Sequence, residues 1–328
     1  SKKYDIIIKE RVIGGSLYIK ELEWYKMLIK NDKLLKQSEF KLEKDIQTFV
    51  ENHIPDILGE EYEFVCTEFP VGDFRIDSLA FNKETKSFII IEDKKVENKS
   101  LVDQGLTYLK LLRDRKADFI LKYNEIKHTN YNVNDIDISQ SKVIFFSPYY
   151  NKYQIYSSDY QNTPFDLYKV TKYEDDIIDI EKIERTSKEK FNNEIFKDLN
   201  SNTSSNEEIK VYTEDDHKNY YNVEKINEIY DKLKSEILEL GDIDIDVKKV
   251  YIAFKGRRNI ADIEFYKNHI TVFVNVKKGN LEDPLNVLSD ISNIGHHGNG
   301  DYCLDLYKID DIDKIIPFIK KSYEINKK

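Results

Sequence analysis

Two acidic residues and a lysine set the chemistry that this chain could do. Asp77 ends the run Asp73-Phe-Arg-Ile-Asp77, and Glu92 and Lys94 close the run Ile89-Ile-Ile-Glu-Asp-Lys94. The apolar, β-branched stretches on either side of Asn82-Lys-Glu-Thr-Lys86 predict a hairpin. A turn centred between Glu84 and Thr85 sets Asp77 directly opposite Glu92, with Cβ atoms roughly 5 Å apart on one face. The period of two along a strand returns Lys94 to that face. Two carboxylates facing each other in a half-buried sheet repel unless a cation lies between them. A hard divalent cation, Mg²⁺ or Mn²⁺, with a lysine beside it suits this arrangement.

Other elements must position these three residues. Ser38 to Leu58 predicts a helix with Ser38 as N-cap, an apolar face of Leu42, Ile46, Phe49 and Val50, and a break near Pro55. Glu43 shares a side with Ile46, Gln47 and Val50, which predicts that it points inward. Glu63–Phe69 is expected as a strand ending at Pro70. Beyond the hairpin, Lys99–Arg113 predicts a helix, with Ser100 and Asp103 spaced as a capping box and a stripe of Leu101, Gln104, Tyr108 and Leu111/Leu112. Gln104 and Tyr108 lie one turn apart on the same side.

Asp77, fourteen intervening residues, then Glu92-x-Lys94 resembles the PD-(D/E)xK nuclease superfamily, closest to its NucS-like and RecB-like branches. Ile76 stands where the superfamily's name has a proline. The resemblance extends to Leu42-Glu43-Lys-Asp-Ile-Gln47, the place of a metal-site glutamate on the first helix. It also extends to Gln104-x-x-x-Tyr108, the place of a Gln-x-x-x-Tyr pair in the RecB-like branch. What it implies is a restriction-endonuclease-like α/β fold, a mixed sheet flanked by helices, and Mg²⁺-dependent hydrolysis of nucleic acid, DNA in the first place. Asp77 and Glu92 would hold the ion with help from Glu43. Lys94 would act on the attacking water, and Gln104 and Tyr108 would position the substrate. The rival reading is a nucleic-acid-binding, sensor or interaction protein that keeps the nuclease fold without catalysis. A hairpin with purely structural salt bridges leaves Glu43, Gln104 and Tyr108 unexplained.

The remainder divides into further parts. Residues 1–36 read as an extension, with short strands at Tyr4–Ile8 and Ser16–Ile19 and a helix over Glu21–Leu35. Ala117–Glu125 fits helix or strand equally, and His128 reads as a surface residue. Lys142–Ser147, Phe165–Lys172 and Ile177–Ile183 predict strands, completing a first domain over 37–185. The Asn/Ser-rich stretch 186–211 predicts a flexible linker. After it, 212–328 predicts a smaller α+β domain: a helix over Val223–Leu240, strands at Val250–Phe254, Ile260–Tyr266, Ile270–Val276 and Tyr302–Tyr307, and a last helix at Ile312–Tyr323. Lys255-Gly-Arg257-Arg258-Asn259 and Ile294-Gly-His296-His297-Gly-Asn-Gly-Asp301 resemble a C-terminal domain sometimes labelled a predicted transport protein. Arg257, Arg258, His296 and His297 are candidate ligands for an anion or nucleotide.

At 328 residues the chain can bury two full cores. Its charged content of 34% with 40% hydrophobic residues fits a water-soluble globular protein. No apolar run approaches the ~20 residues that span a bilayer, so no membrane partner is expected. Cys66 and Cys303 lack metal or redox spacing and fit reduced thiols, which with no visible signal peptide predicts a cytoplasmic protein. A net charge of −10 counts against passive coating of DNA or RNA, but a local basic groove can sit on an acidic surface. Whether the chain forms a homodimer is left open by its sequence.

Overall fold

The computed structural model describes residues 29–30, 33–95, 101–160, 163–187, 209–295 and 300–326. In chain order the first part comprises β1 (Ile29–Lys30), β2 (Lys33–Leu34), β3 (Gln37–Ser38), α1 (Glu43–Asn52), α2 (Ile54–Leu58) and β4 (Tyr62–Val71). It continues through β5 (Phe74–Asn82), β6 (Ser87–Asp93), α3 (Leu101–Asp114), α4 (Lys116–Lys127), β7 (Lys142–Ser147), α5 (Lys152–Ser158), β8 (Phe165–Tyr173) and β9 (Ile178–Lys182). β3 to β9 form one mixed sheet in the order β3-β8-β7-β6-β5-β4, with β9 also on β8. β6, β7 and β8 run parallel, and β4, β5 and β6 antiparallel. This is the α/β fold class that the sequence predicts.

The alternation along β6 shows how the sheet is covered. Phe88 and Ile90 face a core with Leu109, Leu112 and Phe119 of α3 and α4, while Ile89 and Ile91 face a second core with Ile46 and Val50 of α1. Every residue of β6 is buried, as expected of a central strand packed on both faces. Asp77 and Glu92 continue the α3 face; Ser78 and Asp93 continue the α1 face.

Several boundaries differ from expectation. Ser38 is not an N-cap. It pairs with Lys172 in β3, and α1 starts at Glu43, where the Leu42 N–H donates to the Asp45 carboxylate. Its chain breaks at His53, and Pro55 begins α2, where its missing N–H costs nothing. β4 runs through Pro70 to Val71, because an edge strand tolerates a residue that cannot donate to the ladder. Ile29–Leu34 is a short antiparallel hairpin rather than the end of a helix. Ala117–Glu125 is helical. The strands expected before residue 20, the Ser100 cap, most of the linker, His296 and His297 lie outside the described residues.

The second part holds α6 (Glu214–Tyr221), α7 (Glu224–Leu238), β10 (Asp244–Val247), β11 (Tyr251–Lys255), β12 (Asn259–Phe265), β13 (Ile270–Val274), β14 (Ser289–Asp290), β15 (Tyr302–Leu306) and α8 (Ile312–Asn326). Its antiparallel sheet, β10-β11-β12-β13-β15-β14, packs against α7 and α8 around Ile229, Leu233, Ile263, Val272 and Ile315. α6, β10 and β14 are additions to the predicted set. Among the described residues no helix is long and apolar enough to cross a membrane. Cys66 and Cys303 are free thiols, and burial pushes the Cys66 thiol up to about 11.

Candidate functional site

The β5–β6 hairpin has the predicted register. Asn82 Oδ1 accepts from the N–H groups of Glu84 and Thr85, each at 2.9 Å, which fixes the turn. Ser78 then pairs with Ile91 and Leu79 with Ile90. One step further, where Asp77 faces Glu92, side chains replace the backbone ladder. The Asp77 N–H donates to Glu92 Oε1 at 3.2 Å, and the Asp93 N–H donates to Asp77 Oδ2 at 3.1 Å. Each carboxylate is therefore held by the opposite strand.

Lys94 lies just past β6, anchored by its N–H on the Phe146 carbonyl of β7 at 2.8 Å. Its Nζ is 3.1 Å from Glu92 Oε2, 3.4 Å from Asp77 Oδ2 and 3.7 Å from Glu43 Oε1. Glu43 arrives from the other side of the sheet, at the first turn of α1, and also accepts from the Lys95 N–H at 3.0 Å. It does not point inward as predicted: its side chain is 45% exposed, because the first turn of α1 overhangs the strand ends. From α3, Gln104 Nε2 donates to Glu92 Oε2 at 2.8 Å and to Tyr108 OH at 3.1 Å. The Tyr108 hydroxyl donates in turn to the Arg75 carbonyl. Asp77, Glu92, Lys94, Glu43, Gln104 and Tyr108 thus form one connected neighbourhood.

Burial and the Asp77 charge push the Glu92 carboxyl up to about 7, against the pull of Lys94. Burial lowers the Lys94 ammonium's pKa, but Glu92 and Asp77 outweigh it and hold the group cationic. Burial and the charge of Glu92 push the Tyr108 hydroxyl up to about 12, so it stays a neutral hydrogen-bonding group. Asp93 faces away from this cluster toward α1. Burial raises its pKa well above the carboxylate range, and among the described residues neither of its oxygens has a hydrogen-bond partner.

The residues that sequence reasoning passed over are those beneath Asp77. Gln47 Nε2 reaches the Asp77 carbonyl at 2.6 Å and Thr67 Oγ1 at 3.0 Å, and Ser78 Oγ donates to Glu51 Oε1 at 2.7 Å. Glu43, Gln47 and Glu51 form an i, i+4 polar ridge beside the apolar stripe of α1, a pattern visible in the sequence.

Among the described residues no three His, Cys, Asp or Glu side chains converge closely enough to enclose a metal by themselves. Asp77 and Glu92 supply two facing hard-oxygen donors. Mg²⁺ is held through one or two carboxylates and keeps several waters, so this donor set fits it, whereas an all-protein cage for a softer ion is missing. In the second domain Arg258 pairs with Glu60 of the first at 2.5 Å instead of facing an open loop.

Residues 217–326 match a family described as a domain of unknown function (DUF5655). The chain is similar to an uncharacterised protein from Haemophilus influenzae, 41% identical over 289 residues, which covers 88% of this chain and 95% of that protein. No solved structure matches.

Proposed function

We propose that this chain, which belongs to the family of the uncharacterised Haemophilus influenzae protein, is a divalent-metal-dependent phosphodiesterase acting on nucleic acid, with DNA as the first substrate to test. The observation that carries this reading is the convergence of Asp77, Glu92 and Lys94 at one end of the hairpin, with Glu43 and Gln104 closing on them from helices on opposite faces. Such a convergence of like charges around one ammonium, at the surface end of a rigid sheet, is costly as mere packing and useful as a site.

Mg²⁺ or Mn²⁺ held by Asp77 and Glu92 would supply Lewis-acid stabilisation of the charge that builds on a phosphodiester as water attacks it. The chain's own groups do the rest. Lys94, kept cationic by its neighbours, donates to a non-bridging phosphate oxygen and offsets its growing charge. Glu43, half exposed at the rim, accepts a hydrogen bond from the incoming water and orients it. Gln104 fixes one oxygen of Glu92, and Tyr108 fixes Gln104 against the Arg75 carbonyl, so the acidic pair keeps one geometry. Gln47 ties α1 to the backbone of Asp77, which holds Glu43 in reach.

The test is incubation of the purified chain with Mg²⁺ or Mn²⁺ and a panel of single-stranded, duplex and branched DNA and RNA. The expected result is metal-dependent cleavage of at least one substrate, abolished in Asp77→Asn. Binding of nucleic acid without cleavage of any member of the panel would sink the catalytic reading in favour of a binding module.

A further inference from the structure

α5 is turned inside out. Its buried residues are polar, Gln154 and Ser158, while Tyr153 and Tyr156, one turn apart, are 75% and 73% exposed. Ile155 between them is exposed, and so is Tyr149 in the loop ahead of the helix. A surface helix ordinarily sets its apolar stripe on the core and its polar residues in water. Single exposed aromatics are common on protein surfaces, but a group of them on one short segment marks a place where something binds.

Hydrogen bonds, not apolar burial, hold this segment, and they leave the rings free. Asn151 and Gln154 cap α5 reciprocally, each side chain accepting from the other's N–H at 3.0 and 2.8 Å. The Thr163 hydroxyl donates to the Ser158 carbonyl at 2.9 Å and closes the far end. Tyr150 is the contrast among the tyrosines. Its hydroxyl reaches the Phe145 and Tyr168 carbonyls at 2.8 and 3.1 Å and ties the loop to the sheet.

Place and charge narrow what covers the outer rings. β7 runs parallel to β6 with Phe146 beside Asp93, and the Lys94 N–H bonds to the Phe146 carbonyl. The chain therefore leaves β7 through Ser147 at the edge of the sheet where Asp77, Glu92 and Lys94 lie. Tyr149 follows two residues later, its backbone at most roughly 12 Å from that of Lys94. α5 then packs against α3, the helix that carries Gln104 and Tyr108 to the cluster. In a chain of net charge −10, the stretch between Asp137 and Asp159 holds no Asp or Glu, so a polyanion meets less repulsion along it. Asp159, just past the helix, is taken up by the Thr186 N–H and hydroxyl. Lys152 lies over the Tyr153 ring at 5.4 Å and has no carboxylate partner among the described residues. Exposed rings beside an unclaimed ammonium hold unpaired bases by stacking and phosphates by charge. Bases inside a duplex are already stacked and offer these rings no face.

We propose that Tyr149, Tyr153 and Tyr156 form a stacking platform for single-stranded DNA, which runs along α5 toward the Asp77, Glu92 and Lys94 cluster. The choice of nucleic acid as the occupant rests on the hydrolytic reading of that cluster. Fluorescence anisotropy tests it, with the full chain titrated in EDTA into a labelled thymidine oligonucleotide of about 20 nucleotides, longer than one single-strand site. A duplex of the same length is the comparison.

The single strand should bind more tightly than the duplex. Tyr153→Ala with Tyr156→Ala should weaken single-strand binding about tenfold or more and leave duplex binding unchanged. Tyr153→Phe with Tyr156→Phe should keep wild-type affinity, because stacking uses the ring and not the hydroxyl. Both rings are exposed, so circular dichroism and the thermal midpoint should match wild type in either variant. Three results overturn the proposal: no saturable binding of the single strand, equal affinity in wild type and the alanine variant, or a phenylalanine variant as weak as the alanine one. Sedimentation showing a wild-type dimer that the alanine variant loses would overturn it too, by seating a second copy of the chain on the patch. Cleavage with Mg²⁺ is read separately. Wild-type cleavage with unchanged binding in the alanine variant sinks the platform alone; binding that the alanine variant loses, with no cleavage by wild type, sinks the hydrolytic reading alone.

Discussion

Among the described residues Lys94 is the one basic side chain within 4 Å of Glu92, Asp77 or Glu43. Glu92 is 1% exposed and Lys94 14%, so neither charge can be relieved by bulk water. Removing the ammonium leaves two carboxylates facing each other, a case in which breaking a buried pair costs on the order of 3 kcal/mol. Lys94→Met is therefore expected to lower the urea midpoint at pH 8, where Glu92 is charged. Millimolar Mg²⁺ should recover part of the loss, because a cation that binds only the folded state stabilises it by mass action. A midpoint indifferent to Mg²⁺ in both proteins would count against the cation site. Asp77→Asn should act in the opposite sense on stability. It removes one of the two repelling charges and keeps an acceptor for the Asp93 N–H, so the fold should be as stable or more so. Hydrolysis should fall about a hundredfold or more, the scale on which losing one preorganised electrostatic group acts. Unchanged turnover in that variant would end the assignment of Asp77.

At the scale of elements, α1 is what brings the two faces of the sheet to one site. It buries Ile46 and Val50, each contributing about 2 kcal/mol of apolar burial, and that burial sets its orientation. Its polar ridge then has one fixed job. Gln47 is 4% exposed and shares its amide among the Asp77 carbonyl, Thr67, Glu51 and Ser78. Gln47→Leu takes this donor from the Asp77 carbonyl, at about 1–3 kcal/mol, while Glu51 and Ser78 keep the bond between them and Thr67 keeps Lys44. Denaturant melts should show the loss, and a cleavage assay should show reduced turnover as Glu43 and Asp77 lose their common tether. Stability equal to wild type would remove Gln47 from this role. The hairpin was readable in advance because its register depends only on a local turn and a period of two. Gln104 and Tyr108 were readable because one helical turn separates them. Local pattern could not supply the start of α1: Ser38 has the chemistry of a cap, but a distant strand, β8, claims it. The outward lean of Glu43 likewise depends on where the helix ends relative to the sheet. β10 was missed because Asp244–Val247 alternates acids with apolar residues in a stretch where only pairing with β11 makes a strand.

Among the described residues the two large sheets are joined by charge, and this sets how the molecule responds to acid. Lys255 pairs with Glu61 at 2.7 Å, Lys249 with Asp137 at 2.8 Å, and Arg258 with Glu60 at 2.5 Å, all across the seam between the two domains. None of these contacts could be read from the sequence, since their partners lie more than a hundred residues apart. On either side of the seam Asp166 and Asp246 are subject to burial, which raises their pKa. Their lysine neighbours, Lys142 and Lys182 for one, Lys248 and Lys255 for the other, outweigh it and hold both carboxyls well below the ordinary value of 3.8. The sign follows from proton binding. Below about pH 4 the unfolded chain takes up protons at these positions and the folded chain does not, so their stabilising contribution is complete above that value and is lost as pH falls below it. The loss should be felt first where the two domains meet, because each half keeps its own apolar core. Small-angle scattering between about pH 4 and pH 2.5 should show the radius of gyration rising before far-ultraviolet circular dichroism changes. Asp246→Asn should be more loosely joined already at neutral pH, since Lys248 loses its counter-charge and Lys255 is left with Glu61 alone, and should show a smaller further expansion in acid. Simultaneous loss of compactness and secondary structure in both proteins would mean that the seam is not the acid-sensitive joint.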